Sequence, residues 1–127
     1  MAKRQIYTLE YPVRSSPSIL YNFLSTASGL QEWFADTVDE RDGIMSFSWS
    51  GGTPDKAKIV SREENVCARY SWLHEDAKEY FEFKIITAEI SNQTILVITA
   101  FANKDEVKDE SMVWEHQVKD LFHRIGA

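Results

Sequence analysis

Residues 106–124, EVKDESMVWEHQVKDLFHR, carry the pattern that decides the fold. Within and just beyond them, Val107, Ser111, Trp114, Val118, Leu121, Phe122 and Ile125 recur at steps of four, three, four, three, one and three, and so share one side of a 3.6-residue spiral. The opposite side is charged. Asp105 is placed to cap the start, Glu106 and Asp109 sit in the first turn, Lys119 and Arg124 lie towards the end, and Gly126 follows as a stop. A helix this one-sided needs an apolar surface to lie on. Residues 5–102 supply one as a series of short strands.

Working outward from the helix, residues 94–102 are apolar on both parities, the mark of a strand covered on both faces, usually a central one. Upstream of them the period is two. Phe81, Phe83 and Ile85 alternate with Glu82 and Lys84; Ala68, Tyr70 and Trp72 share one parity; Ala57 and Ile59 alternate with Lys56 and Lys58; Met45, Phe47 and Trp49 alternate with Ser46 and Ser48. Residues 37–40 form a weaker strand joined to the next by the turn Arg41-Asp42-Gly43. At the start, Tyr7, Leu9, Tyr11 and Val13 share one face of a strand over 5–13, and Pro12 marks an edge or a strand end. Between this strand and the next, Ser16 and Pro17 open a short helix with Ile19, Leu20, Phe23 and Leu24 as its apolar stripe. A second short helix over 26–34 carries Leu30, Trp33 and Phe34. Turn signals about ten residues apart favour an antiparallel meander.

At 127 residues the chain has the size of one domain, 1–127, with enough length to bury a real core. A net charge of −6 without any Lys/Arg cluster argues against nucleic acid, whose binding needs a basic face. The single cysteine, Cys67, excludes an internal disulfide and leaves too few thiols for a zinc ribbon or a CxxC site, which fits a reducing cytoplasm. No run has signal-peptide character or membrane-spanning length, so a soluble, unexported protein without membrane contact is expected.

Several segments resemble the START/SRPBCC superfamily, the helix-grip fold also seen in birch-pollen-allergen-like proteins. Tyr11-Pro12-Val13 through Ser16-Pro17-Ser18-Ile19-Leu20-Tyr21 is similar to that family's first strand passing into a Pro-started helix. Gly29-Leu30-Gln31-Glu32-Trp33-Phe34 resembles its leucine-x-x-tryptophan-phenylalanine segment, and the spacing from Trp114 to Leu121 resembles its last helix. These features point to the branch of the activators of the heat-shock-protein ATPase. The double glycine of that branch is not found directly after Trp33-Phe34; Gly43 stands alone and Gly51-Gly52 comes one strand later. The resemblance implies an α+β helix-grip fold: a curved antiparallel sheet of about six or seven strands around a long C-terminal helix, with two short helices between the first and second strands.

Familiar catalytic signatures are missing: the sequence has no nucleophile elbow, Walker loop, dinucleotide fingerprint or HExxH. No cofactor or metal is expected, and the enzyme question leans towards no. His116 and His123 fall opposite the apolar stripe, and His74 sits in a polar turn with Glu75 and Asp76 that matches no known ligand spacing. Cys67 has no His or Asn placed to activate it and reads as a structural thiol.

The unusual feature is the aromatic content, four Trp, five Tyr and seven Phe. Tyr7, Tyr11, Trp33, Phe47, Trp49, Tyr70, Trp72, Phe81, Phe83 and Trp114 either fill the core between sheet and helix or wall a cavity left open there. On the second reading Trp33, Phe47, Trp49, Tyr70, Trp72, Phe81, Phe83, Ser111 and Trp114 line a site for a small apolar or amphipathic molecule, with Ser111 over a gap. Its entrance would lie between residues 30–34, residues 50–54 and one end of the last helix. The alternatives are an enzyme similar to the superfamily's polyketide cyclases and aromatases, and a chaperone-activator-like interaction module; a homodimer is compatible with either.

Overall fold

The computed structural model describes residues 4–74 and 78–126. In chain order it comprises β1 (Arg4–Val13), α1 (Pro17–Ser25), α2 (Ala27–Leu30), β2 (Thr37–Arg41), β3 (Ile44–Ser48), β4 (Asp55–Glu63), β5 (Cys67–Trp72), β6 (Phe81–Thr87), β7 (Thr94–Asn103), a 3-10 turn (Lys104–Glu106) and α3 (Val107–Ile125). The strands form one curved antiparallel sheet in the order β1-β7-β6-β5-β4-β3-β2. β2 to β7 is a meander, and β1 returns to pair with β7 along its whole length, from Arg4 opposite Asn103 to Val13 opposite Thr94. Pro12 thus lies on an edge strand, the kind of strand in which proline is tolerated.

Local chemistry explains the elements. Ser16 caps α1 by accepting the Ile19 N–H at 3.3 Å, with Pro17 in the first turn. Thr26 serves both short helices, its hydroxyl donating to the Asn22 carbonyl at 2.8 Å and accepting the Gly29 N–H at 2.9 Å. This sharp corner needs a glycine, because a Cβ at Gly29 would come within 2.1 Å of the Asn22 carbonyl oxygen. Asp42 and Gly43, both at positive φ (52° and 79°), make the two-residue turn between β2 and β3. A register shift between Ile59 and Ser61 bends β4 against β5.

Two expectations change. The second short helix ends at Leu30, and residues 31–34 turn instead of continuing it. Asp105 does not cap α3: it lies within the 3-10 turn, the helix starts after Glu106, and no side chain caps that end. At the other end Gly126 closes the helix in the left-handed conformation, φ 84°, with its N–H on the Phe122 carbonyl at 3.0 Å. The two-sided strand β7 lies second from the edge, with Leu96, Ile98, Ala100 and Ala102 inward. Its other face is half-buried, and there Phe101 meets the Tyr80 ring edge-on at 5.3 Å.

Trp114, Val118 and Leu121 turn from α3 into the core, where they meet the buried faces of the sheet and of α1. Val107, Phe122 and Ile125 pack at its margin. Among the described residues no helix is long and apolar enough to cross a membrane.

Candidate functional site

Two aromatic residues on the 31–34 turn organise the interior. The Trp33 indole N–H donates to the Phe23 carbonyl at 2.8 Å, which fixes the turn to α1. Phe34 is then driven between the sheet and α3. Its ring lies 5.0 Å from Phe47, 5.6 Å from both Phe81 and Trp114, 5.7 Å from Trp49 and 6.0 Å from Phe83, stacked on Phe81 and Trp114 and edge-on to the others. The space a helix-grip fold could leave open is here occupied by Phe34 and its neighbours. The spacing of Leu30, Trp33 and Phe34 placed Phe34 on a second helix over 26–34, so the sequence marked it as an apolar helix residue and not as the plug of the interior.

The other aromatic positions divide between core and rim. Phe47, Phe81 and Phe83 are fully buried, as is Tyr70, whose hydroxyl donates to the Leu24 carbonyl at 2.7 Å. Trp114 is buried and its indole N–H donates to the Tyr7 hydroxyl at 2.9 Å; Tyr7 in turn donates to Glu110 Oε1 at 2.9 Å. Burial pushes the Tyr7 and Tyr70 phenols well above their ordinary range, helped at Tyr7 by the Glu110 carboxylate, so both remain neutral donors. Trp72 is half-buried against Phe47 and Phe81. Trp49, just past the end of β3, is 37% exposed.

Ser111 does not sit over an enclosed gap. Its hydroxyl donates back to the Val107 carbonyl at 2.7 Å, and the residue borders a shallow outer groove with Leu9, Tyr11 and Met112.

An open space lies elsewhere. A cleft of about 590 Å³ separates residues 31–36 and Trp49 from the C-terminal half of α3, represented by Gln117, Asp120, His123 and Arg124. It lies on the side where the sequence analysis put an entrance. Its floor is built around the Phe34 carbonyl, which accepts the Trp49 indole N–H and the Gln117 amide, each at 2.8 Å. Asp36 accepts the Ser50 N–H at 2.6 Å, and Gln31 accepts the Val38 N–H at 2.9 Å, so the strap 31–36 is pinned at both ends. Arg124 bridges the rim to the Glu32 carbonyl at 3.2 Å. The cleft therefore offers the Trp49 indole and a border of amide, carboxylate, imidazole and guanidinium groups.

His116 and His123 are both exposed, as their position on the helix indicates, although His123 reaches the cleft border. The candidate cation turn lies partly outside the described residues, since Glu75 and Asp76 are not among them. Among the described residues no group of three or more His, Cys, Asp or Glu is placed to hold a metal. Burial, with Glu82 and Glu63 nearby, pushes the Cys67 thiol up, opposite to what a nucleophile requires.

The whole chain, residues 1–127, matches the START-like superfamily domain. The protein belongs to that superfamily. START-like domains commonly bind ligands. No curated protein matches the chain. Among solved structures, this START-like domain is similar to a protein of Bacteroides fragilis determined by solution NMR, at 33% identity over 95% of this chain and 90% of that one, with a TM-score of 0.67. The Aha1 dimer of Colwellia psychrerythraea matches at 18% identity over 95% and 96% of the two chains, TM-score 0.77. DynU16, from the dynemicin biosynthetic locus, matches at 12% identity over 96% of this chain and 47% of that one, TM-score 0.76. The last two likenesses are of fold alone.

Proposed function

We propose that this START-like domain binds a small amphipathic molecule in the cleft between the strap 31–36, Trp49 and the C-terminal half of α3. The observation that carries the reading is the cleft itself. Its volume of about 590 Å³ falls inside the roughly 300–1,000 Å³ range of small-molecule sites. Its floor is held by the two hydrogen bonds that converge on the Phe34 carbonyl. A preformed floor lowers the ordering cost of binding.

The ligand's apolar, flat part would lie against the exposed portion of Trp49, where ring stacking rewards a planar group. Its polar end would meet Gln117, Asp120 and His123. Because Phe34 and its ring neighbours fill the interior, the bound molecule stays at the mouth of the grip and does not thread between sheet and helix.

A fragment screen by ligand-observed NMR tests this, using planar aromatic acids, amines and alcohols with the wild type and Trp49→Leu. Hits that bind the wild type and weaken about tenfold in the variant, as expected for a lost stacking contact, support the reading. Hits that bind both proteins equally, or no hits, overturn it.

A further inference from the structure

An antiparallel sheet that covers a core on one side and meets water on the other alternates apolar and polar residues along its strands. Strand β7 does not. Its inward residues are Leu96, Ile98, Ala100 and Ala102, and the outward ones, Ile95, Val97, Thr99 and Phe101, carry no charge either. Pairing extends this outer face onto both neighbouring strands: Ile6 lies beside Phe101 and Pro12 beside Ile95 on β1, while Ile86 lies beside Ile95 on β6. Ile6 is 50% exposed and Ile86 38%. The patch is on the other side of the sheet from α3, so it is independent of the Trp49 cleft.

Glu10 on β1 and Lys84 on β6 flank Val97 in one row of this face. Both are exposed, and among the described residues neither forms an ion pair within the chain. Glu82, one row away, is already held by Arg69 at 2.7 Å. The face thus has an apolar row at each end, Ile6-Phe101-Tyr80 and Pro12-Ile95-Ile86, and between them a row with a carboxylate on one side of β7 and an ammonium on the other. Such a surface is complementary to itself. A two-fold axis lying along β7 turns β1 of one copy over β6 of the other, so each Glu10 meets the other copy's Lys84 while Ile95, Val97 and Phe101 meet their own equals. An axis at right angles through the middle of the patch would lay β1 on β1 and set Glu10 against Thr8.

We infer that this face is the contact surface of a homodimer, two copies packed sheet on sheet about an axis along β7. Sheets stacked in this way keep their strands within about 30° of each other at a spacing of about 10 Å, which leaves β7 lying over β7. Size sets the strength. The rows from Ile6 to Pro12 span about 20 Å along the strands, and three strands with their side chains cover about 15 Å across, which is at the small end of protein interfaces. The net charge of −6 on each copy adds repulsion that salt screens. The dimer is therefore weak and reversible, half-formed near about 0.1 mM.

The test is analytical ultracentrifugation of the whole chain from about 10 μM to about 1 mM at roughly physiological ionic strength. The expected result is a reversible rise from the monomer to the dimer mass. Glu10→Lys and Lys84→Glu each set like charges face to face twice, and each should weaken association about tenfold or more. Mixed in equal amounts, the two variants should associate again at least as well as wild type, because every facing pair is then opposite in sign. That rescue also shows that both variants are folded. A mass that stays monomeric up to about 1 mM would overturn the inference. So would single variants that associate as well as wild type, or a mixture that associates no better than either variant alone.

Discussion

The ring of Phe34 stacks on the ring of Trp114 with centroids 5.6 Å apart and planes inclined by 23°. The first residue belongs to the strap that follows the short helices, the second to the inner face of α3, and their contact closes the interior of the grip. Phe34→Ala should therefore cost about 3–5 kcal/mol, the usual range for deleting a buried phenylalanine side chain. It should also leave a dry cavity lined by Phe47, Phe81, Phe83 and Trp114, able to take up xenon or benzene. Chemical denaturation gives the first quantity and xenon-dependent NMR shifts the second. A loss below about 1 kcal/mol would mean that Phe34 is not the plug.

The corner between α1 and α2 sets where that strap begins. Gly29→Ala places a methyl group 2.1 Å from the Asn22 carbonyl oxygen and 2.7 Å from the Phe23 Cα, both backbone atoms that cannot swing aside. The expected destabilisation is about 1–3 kcal/mol or more, as for an overpacked core site. Because Trp33 is tied to the Phe23 carbonyl, its indole N–H resonance should move in this variant. A melting temperature equal to that of wild type would contradict the close approach.

Alkaline pH should weaken the fold through Tyr70. Burial holds its phenol neutral beyond the ordinary range, outweighing the attraction of the nearby Arg62 guanidinium. Above pH ~10 the unfolded chain releases this proton while the folded chain keeps it. The unfolded state then binds fewer protons, so stability falls with rising pH, by up to about 1.4 kcal/mol per pH unit from this group. Tyr70→Phe loses the hydrogen bond to the Leu24 carbonyl and is less stable at neutral pH, yet it escapes this decline. Denaturation midpoints from pH 8 to 11 should show the gap between the two proteins narrowing above pH ~10. A constant gap would show that Tyr70 titrates normally.

Much of the fold was legible because periodicity reports burial. The inner residues of α3 and the alternating strands β3 to β6 declare themselves by spacing, and Ser16-Pro17, Asp42-Gly43 and Gly126 mark their boundaries. In the strap 31–36 the helical spacing of Leu30, Trp33 and Phe34 misleads, because the chain turns after Leu30 instead of continuing the helix. Whether Phe34 turns into the core or away from it depends on the Trp33 bond to α1, a contact between residues ten apart that spacing does not reveal. For β7 the inward face was undecidable from a strand apolar on both parities, and pairing with β1 and β6 decides it. Ser111 shows the limit of helical-wheel reasoning, since a residue at the edge of an apolar stripe can face a groove outside the core. Gln117 gives the cleft its floor from the polar margin of the same helix, and nothing in its spacing distinguishes it from a solvated glutamine.

The central claim is that ligands bind at the mouth of the grip and leave the interior closed. The most direct measurement is a set of intermolecular nuclear Overhauser contacts between a bound planar ligand and the assigned protein. The account requires contacts to the Trp49 indole and the Gln117 side chain, with none to Tyr70 or Phe83, which are fully buried. Contacts to Tyr70 or Phe83 with Trp49 untouched would contradict it, placing the ligand inside a core that has opened to admit it.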